Sequence, residues 1–273
     1  MPLPPQITKH EFTQFQQFIF ELAGITLPDS KQALVSGRLA KRLNFYGLNS
    51  YGDYFKLLNN PSISGEVQIA VDLLTTNETY FFREQKHFDF LRQKAIEARG
   101  QRHTKTFRVW SAASSSGEES YSIAMVLADC LEAHGAWEVI GSDISSRVLQ
   151  GAKRAHYSIE RTRNIPSTYL QRFCLRGIDE YKNTILVDRA IRNKVHFRQI
   201  NLNTALPELG FFDVVFLRNV MIYFNDDTKR GVLSRVISTI HPGGHFIVGH
   251  SESLKDLTIA VKPLAPSIYR KPL

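Results

Sequence analysis

Apolar positions in the first quarter of the chain recur at helical spacing. Phe12, Phe15, Ile19 and Leu22 share one face after Thr8 and Glu11, which fit a capping box, and Gly24 ends the helix. Asp29 follows Pro28 as a cap for a second helix that runs to about Tyr46, before Gly47. Ser50 opens a third, which stops before Asn60-Pro61, and a fourth covers about Ser64 to Leu74. Short helices with turn residues between them predict a small bundle over residues 1–80. Beyond it the period changes. A helix over about Glu84 to Arg99 precedes strand patterns at 107–113, 137–142, 195–200, 212–217 and 245–250, with helical patterns at 118–133, 145–155 and 228–240. This alternation predicts an α/β fold, a parallel sheet with helices on both faces. Two short apolar runs between Leu257 and Tyr269 predict a terminal hairpin. The connection from Asp143 to Val195 is longer than an ordinary crossover. Its excess, about residues 158–193, holds Arg161, Arg163, Arg172, Arg176 and the strand-like NTILV, and reads as an inserted subdomain.

Composition narrows the class. With 273 residues and 43% hydrophobic content, the chain has material for one large or two ordinary domains. Its formal net charge of +8 favours an anionic partner, whether nucleic acid, lipid or acidic protein. Cys130 and Cys174 make no disulfide framework, MPLPPQITKHEF lacks the pattern of a signal peptide, and no run is long enough to span a bilayer. The expectation is a cytoplasmic protein.

Chemistry is concentrated at the predicted strand ends. Phe107 to Met125 reads as strand, loop and helix, and Ser111 to Gly117 contains only serine, alanine and glycine. Such a corner is either a tight packing connection or a place where a ligand meets the backbone. Ser116 and Glu119 fit a capping box for the helix. The loop has no lysine for phosphates, and Glu118 and Glu119 suit a cationic nucleoside better than a nucleotide. Asp143 ends the next strand, either to accept ribose hydroxyls or to cap the helix near Ser145. Arg218-Asn219 ends a buried strand where open α/β sheets bind ligands. The Asn/Asp-Pro-Pro-aromatic signature of amino-methylating enzymes is absent there, no histidine–carboxylate constellation suggests hydrolysis, and no spacing suggests a metal.

The stretches TTNETYFFRE, RVWSAASSSGEESYSIAM, GSDIS, Asn201-Leu202 and FLRNVMIYF together resemble the chemotaxis receptor methyltransferases, the CheR family, over nearly the whole chain. That resemblance implies a Rossmann-like class I S-adenosylmethionine methyltransferase sheet over 81–273, with an inserted β-subdomain and an all-α receptor-docking domain over 1–80. It implies methyl transfer from S-adenosylmethionine to the γ-carboxylate of glutamates on the cytoplasmic helices of methyl-accepting chemoreceptors. The products would be glutamate methyl esters and S-adenosylhomocysteine. The positions matching the family's cofactor contacts are Asn77, Thr79, Arg83, Glu119, Asp143, Asn201, Leu202, Arg218 and Asn219. Arg83 and Tyr223 are implied nearest the transferred methyl. Lys31, Arg38, Lys41 and Arg42, a basic face of the second helix, become candidates for docking an acidic helical bundle. Some members grip a receptor C-terminal peptide through a glycine-containing loop of the insertion; the corresponding CLRGIDEYKNTILV has one glycine, Gly177. Two other readings compete: a nucleic-acid methyltransferase, favoured by the charge but lacking a recognised nucleic-acid module, and a non-catalytic adaptor that senses the cofactor.

Overall fold

The computed structural model describes residues 5–60, 62–63, 65–100, 106–131, 136–254 and 259–273. Pro61, Ser64, Leu257 and the end of the helix expected to reach 133 lie outside these residues. The chain divides into two compact units, Met1–Thr76 with Tyr223–Lys229, and Asn77–Ile222 with Arg230–Leu273.

In the first unit, α1 (Lys9–Ala23) begins with the expected capping box. Thr8 Oγ1 accepts from the Glu11 amide, and the Glu11 carboxylate accepts from the Thr8 amide. Gly24, at φ +71°, closes it in the left-handed region. Asp29 does not cap the next helix. Residues Asp29–Lys31 form a 3-10 turn, no side chain caps it, and Asp29 accepts instead from Gln16 Nε2 at 3.2 Å. Then come α2 (Gln32–Tyr46), α3 (Tyr51–Leu58) and α4 (Glu66–Leu74). Ser50 caps α3 as expected, accepting from the Asp53 amide. The segment Tyr223–Lys229, far along the sequence, belongs to this unit: Phe224 bridges Ile25, and Thr26 N–H donates to the Tyr223 carbonyl at 2.8 Å. A contiguous boundary near residue 80 does not include it.

Two members of the basic face on α2 turn inward. Arg38 donates to the Leu74 and Thr75 carbonyls and so caps the end of α4. Arg42 grips Glu66 with two bonds of 2.7 and 2.6 Å, and Tyr54 and Tyr46 donate to the same carboxylate. Glu66 is 2% exposed. Burial alone would raise its pKa, but the bonds from Arg42, Tyr54 and Tyr46 outweigh burial and hold it below the ordinary carboxylate range. The stability it contributes is present above the unfolded value of about 4.3 and lost as pH falls through the lower folded value. Arg42→Ala strands the buried carboxylate and is expected to cost about 3 kcal/mol in urea unfolding at pH 7. That loss should narrow below pH 4, and a pH-independent loss would place it in packing instead.

The second unit opens with α5 (Lys86–Gly100), then β1 (Phe107–Ser111), α6 (Glu118–Leu131), β2 (Trp137–Asp143) and α7 (Ser146–Arg154). The insertion follows as β3 (His156–Ser158), α8 (Ser167–Phe173), β4 (Cys174–Arg176), β5 (Thr184–Val187) and α9 (Arg189–Arg192). The chain returns through β6 (Val195–Gln199), β7 (Phe212–Leu217), α10 (Asp226–Ser238, of which Asp226–Lys229 counts with the helical unit) and β8 (Ile240–Val248) to the expected hairpin, β9 (Lys262–Ala265) and β10 (Ile268–Arg270). The main sheet has the order β6-β2-β1-β7-β8-β10-β9. Its first five strands are parallel, and β10 runs antiparallel to both neighbours. The inner strands β1, β2, β7 and β8 are rich in Val, Ile and Phe, as strands buried on both faces are. The chain leaves β1 for β2 on one side, while β7 pairs on its other side. The carboxyl end of β1 is therefore a topological switch point, where open sheets bind ligands.

The insertion folds as a small antiparallel sheet, β3-β5-β4. Asp129 on α6 fastens it, accepting from Arg92 at 2.8 Å, from the Tyr169 hydroxyl at 2.9 Å and from Arg172.

Candidate active site

Four loops meet the switch point: 112–117 after β1, 143–145 after β2, 200–202 after β6 and 218–221 after β7. The first is shaped by small residues. Gly117 has φ +95°, and a Cβ there would lie 2.8 Å from Ala152 Cβ and 3.0 Å from the Tyr157 hydroxyl. Ser115 is also left-handed, at φ +48°. Its N–H donates to Asp143 Oδ2 at 2.9 Å, while Asp143 Oδ1 takes the Ser145 N–H at 2.9 Å. Helix α7 is capped by Ser145, so Asp143 is not its N-cap; its carboxylate ties two loops together. The Ser115 hydroxyl adds a bond to the Asn77 carbonyl at 2.8 Å.

The expected capping box at α6 is not formed. Glu119 turns away from Ser116, accepting from Ser111 Oγ at 2.7 Å and from Arg218 at 2.9 Å. Ser116 instead donates to Glu118, whose other oxygen pairs with Arg161 at 2.6 Å. Burial pushes both carboxyls above their ordinary range, with Arg161 and Arg218 opposing it. Two bare carboxylates waiting for a cationic ligand are therefore not what the loop presents: each already has its guanidinium.

Arg218, whose side chain is 1% exposed, is the hub. Besides Glu119 it holds Glu84 at 3.0 Å and donates to the Arg83 carbonyl. Burial would raise Glu84, but Arg218 and the His250 amide outweigh it and keep this carboxyl low. Arg83 sits between two left-handed residues, Phe82 at φ +55° and Glu84 at φ +62°. Its guanidinium donates to the Glu78 carbonyl at 3.1 Å and lies 5.6 Å from the Tyr80 ring centre. Asn219, at φ +56°, is also left-handed. Strain of this kind persists only where the surroundings impose it, and it gathers at functional sites.

Sequence reasoning missed Glu252. Its carboxylate accepts from the amides of Asn219, Val220, Met221 and Gly249 at 2.7–3.0 Å and fixes the turn that carries Arg218-Asn219. The available signal was an acid in GHSE, just past a buried strand. It missed Glu84 as well, one residue beyond Arg83. Glu84, His87 and His250 bring ligand atoms within 4.8 Å of one another, but Glu84 already serves the Arg218 cation, which would repel a metal ion. His87 is buried and pushed down to about 3 by that burial and by Arg218, so it is neutral.

The remaining predicted residues fall at these loops or apart from them. Thr79 faces the insertion through its carbonyl, which accepts from Arg161 at 3.3 Å. Asn201 closes its own turn by accepting from the Asn203 amide, and the Leu202 carbonyl accepts twice from Arg235. Tyr223 lies on the 3-10 turn Met221–Tyr223, in the segment belonging to the helical unit. Lys31, at the end of the 3-10 turn before α2, and Lys41 on α2 are exposed, whereas Arg38 and Arg42 are engaged as described.

Residues 77–269 match the S-adenosylmethionine-binding domain of the CheR methyltransferases, and residues 10–75 match the all-α domain of the same family. This chain belongs to the CheR methyltransferase family. A chemotaxis protein methyltransferase of Escherichia coli K12 is 41% identical over 250 residues, 90% of this chain and 85% of that one. Chemotaxis protein methyltransferase 2 of Pseudomonas aeruginosa is 39% identical over 267 residues, 96% and 93% of the two chains. A Borreliella burgdorferi chemotaxis protein methyltransferase is 32% identical over 275 residues, 97% and 95%. The chain is thus an S-adenosylmethionine-dependent methyltransferase.

The chemistry of the residues at these loops is compatible with that cofactor. A phosphate-free nucleoside needs polar groups for its ribose and base and a backbone it can approach, and the loop Ser111–Gly117 consists of small residues without a lysine. A buried hydroxyl of that loop, Ser114 Oγ, also has no hydrogen-bond partner among the described residues. No helix among the described residues is long and apolar enough to cross a membrane.

Proposed function

We propose that the chain methylates the γ-carboxylates of glutamates on the cytoplasmic helices of methyl-accepting chemoreceptors, working in the cytoplasm. What carries this reading is the presence, in one chain, of both family domains, the second with a small-residue loop, Ser111–Gly117, that has no lysine for phosphates. When bound, S-adenosylmethionine supplies an electrophilic methyl group on a cationic sulfur. The residues proposed to hold it are Asn77, Thr79, Arg83, Glu119, Asp143, Asn201, Leu202, Arg218 and Asn219. Within that set, Arg218 and Glu119 act from beneath: they set the positions of the Arg83 backbone and of the loop rather than offering free charges.

The acceptor needs no base, because a glutamate of pKa about 4.3 is ionised at neutral pH. Catalysis then rests on alignment and on removing water from the nucleophile, since opposite charges cancel as the methyl moves. Arg83 and Tyr223 are proposed to orient the incoming carboxylate. The deciding experiment supplies methyl-labelled cofactor with receptor membranes in one arm and RNA in the other. Label released as methanol in alkali, from membranes alone, is the expected result. Alkali-stable label on RNA would overturn it, and binding without transfer would favour the adaptor.

Docking is proposed for α2 and the turn before it, with Lys31 on the turn and Lys41 on the helix as the exposed charges. Lys31→Glu with Lys41→Glu is expected to raise KM for receptor several-fold, more strongly at low salt, with unchanged affinity for S-adenosylhomocysteine. Equal loss of cofactor affinity would refute a docking role. We further propose that the insertion takes an extended receptor C-terminal peptide along the outer edge of β4, by strand addition. The exposed Leu175 and a cleft of about 240 Å³ lined by Ile159, Leu170, Cys174, Arg176 and Ile185 support this.

A further inference from the structure

The glycine-containing corner of the cofactor loop is held from behind by residues of the insertion. On β3, the Tyr157 hydroxyl donates to the Ser116 carbonyl at 2.8 Å and abuts Gly117. On the 3-10 turn that follows β3 (Ile159–Thr162), Arg161 reaches three partners at once. They are Glu118 Oε1 at 2.6 Å, the Thr79 carbonyl at 3.3 Å and Ser116 Oγ at 3.4 Å. Thr79 and the 115–118 corner belong to segments far apart in sequence, and Arg161 ties them from the insertion, beside the bond from the Ser115 hydroxyl to the Asn77 carbonyl. Glu118 is wholly buried, while Arg161 is part exposed. The groups facing the Glu118 carboxylate are Arg161 on the turn, Tyr157 on β3 and Ser116 in the loop. Among the described residues, Arg161 is the cation paired with it.

We propose that the inserted sheet is the support of the cofactor loop, and that Arg161 is its positioning residue, acting through Glu118. The loop needs such support. It contains two left-handed residues and side chains too small to brace it by packing. Without Arg161, Glu118 either stays charged and draws water into the corner or takes up a proton and loosens Ser116. The same geometry makes coupling reciprocal. Whatever displaces the 159–162 turn alters cofactor affinity, and bound cofactor stiffens the turn to the same degree. This inference rests on the cofactor reading alone and is indifferent to the identity of the methyl acceptor.

The test uses the full chain and S-adenosylhomocysteine, titrated calorimetrically from pH 6 to 8. Arg161→Ala is expected to weaken binding about tenfold at pH 8 and less at pH 6, where a proton on Glu118 stands in for the missing cation. The wild-type protein should change little over that range. Adding Glu118→Gln to Arg161→Ala should recover most of the lost affinity, because the uncompensated charge is gone. Arg161→Lys should fall between the two. In the cofactor-free protein, amide exchange over residues 114–117 should speed up in Arg161→Ala and return towards wild type in the double variant. Wild-type affinity in Arg161→Ala overturns the proposal, as do losses that simply add in the double variant. Should Arg161→Ala fail to fold, the double variant and the lysine variant decide by the same readouts.

Discussion

Arg218→Met is expected to abolish measurable binding of S-adenosylhomocysteine and to lower unfolding free energy by about 3–5 kcal/mol at neutral pH. The guanidinium sits between two carboxylates, 2.9 Å from Glu119 and 3.0 Å from Glu84, and also holds the Arg83 carbonyl. Methionine fills similar volume but leaves two buried acids facing each other without a cation. Glu119, already raised by burial, would then take up a proton on folding. A raised carboxyl favours the folded state as pH falls, so the deficit in urea unfolding should shrink between pH 8 and pH 5. Glu119→Gln in the same background should restore part of the stability but little of the binding. Arg218→Lys should recover less than half the loss, since one ammonium nitrogen cannot occupy both the Nη1 position against Glu119 and the Nη2 position against Glu84 and the Arg83 carbonyl. Full cofactor affinity in Arg218→Met would show that the network is dispensable.

Gly117→Val should weaken cofactor binding roughly a hundredfold, corresponding to about 3 kcal/mol of backbone strain and overlap. Two effects combine here and can be separated. A Cβ at φ +95° is strained whatever surrounds it, and in this structure it also overlaps Ala152 and the Tyr157 hydroxyl. Gly117→Ala with Ala152→Gly opens the space yet keeps the strain. Calorimetric titration should therefore show the double variant binding better than Gly117→Ala, though still below wild type. Equal affinity in the two would assign the whole effect to the backbone.

Local rules carried much of the fold. The Thr8–Glu11 box, the five parallel strands and the terminal hairpin follow from periodicity and turn residues within a few positions of each other. So does the small-residue corner of 111–117. What sequence could not supply was the choice of partner across distance. Ser116 and Glu119 have the spacing of a capping box, yet Glu119 is drawn to Arg218, 99 positions away, because a buried guanidinium outcompetes a helix-terminal amide. Arg38 and Arg42 share a polar helical face with Lys41. Only the packing of α4 reveals that the arginines are spent inside the unit. Arg161 and Glu252 were invisible for the same reason: their partners are backbone groups and an acid brought near by the fold. The family resemblance named expected cofactor positions but not the bonds by which Glu119, Asp143 and Arg218 hold neighbouring loops.

Tyr223–Lys229 passes into the helical unit midway through the chain, and Phe224 is buried there. The two units are thus threaded rather than strung in series. A single cut after residue 76 would yield a helical fragment lacking part of its own fabric and a remainder carrying a bare aromatic. Fragments for separate study need two breaks and a new junction, or a grafted copy of the 223–229 stretch.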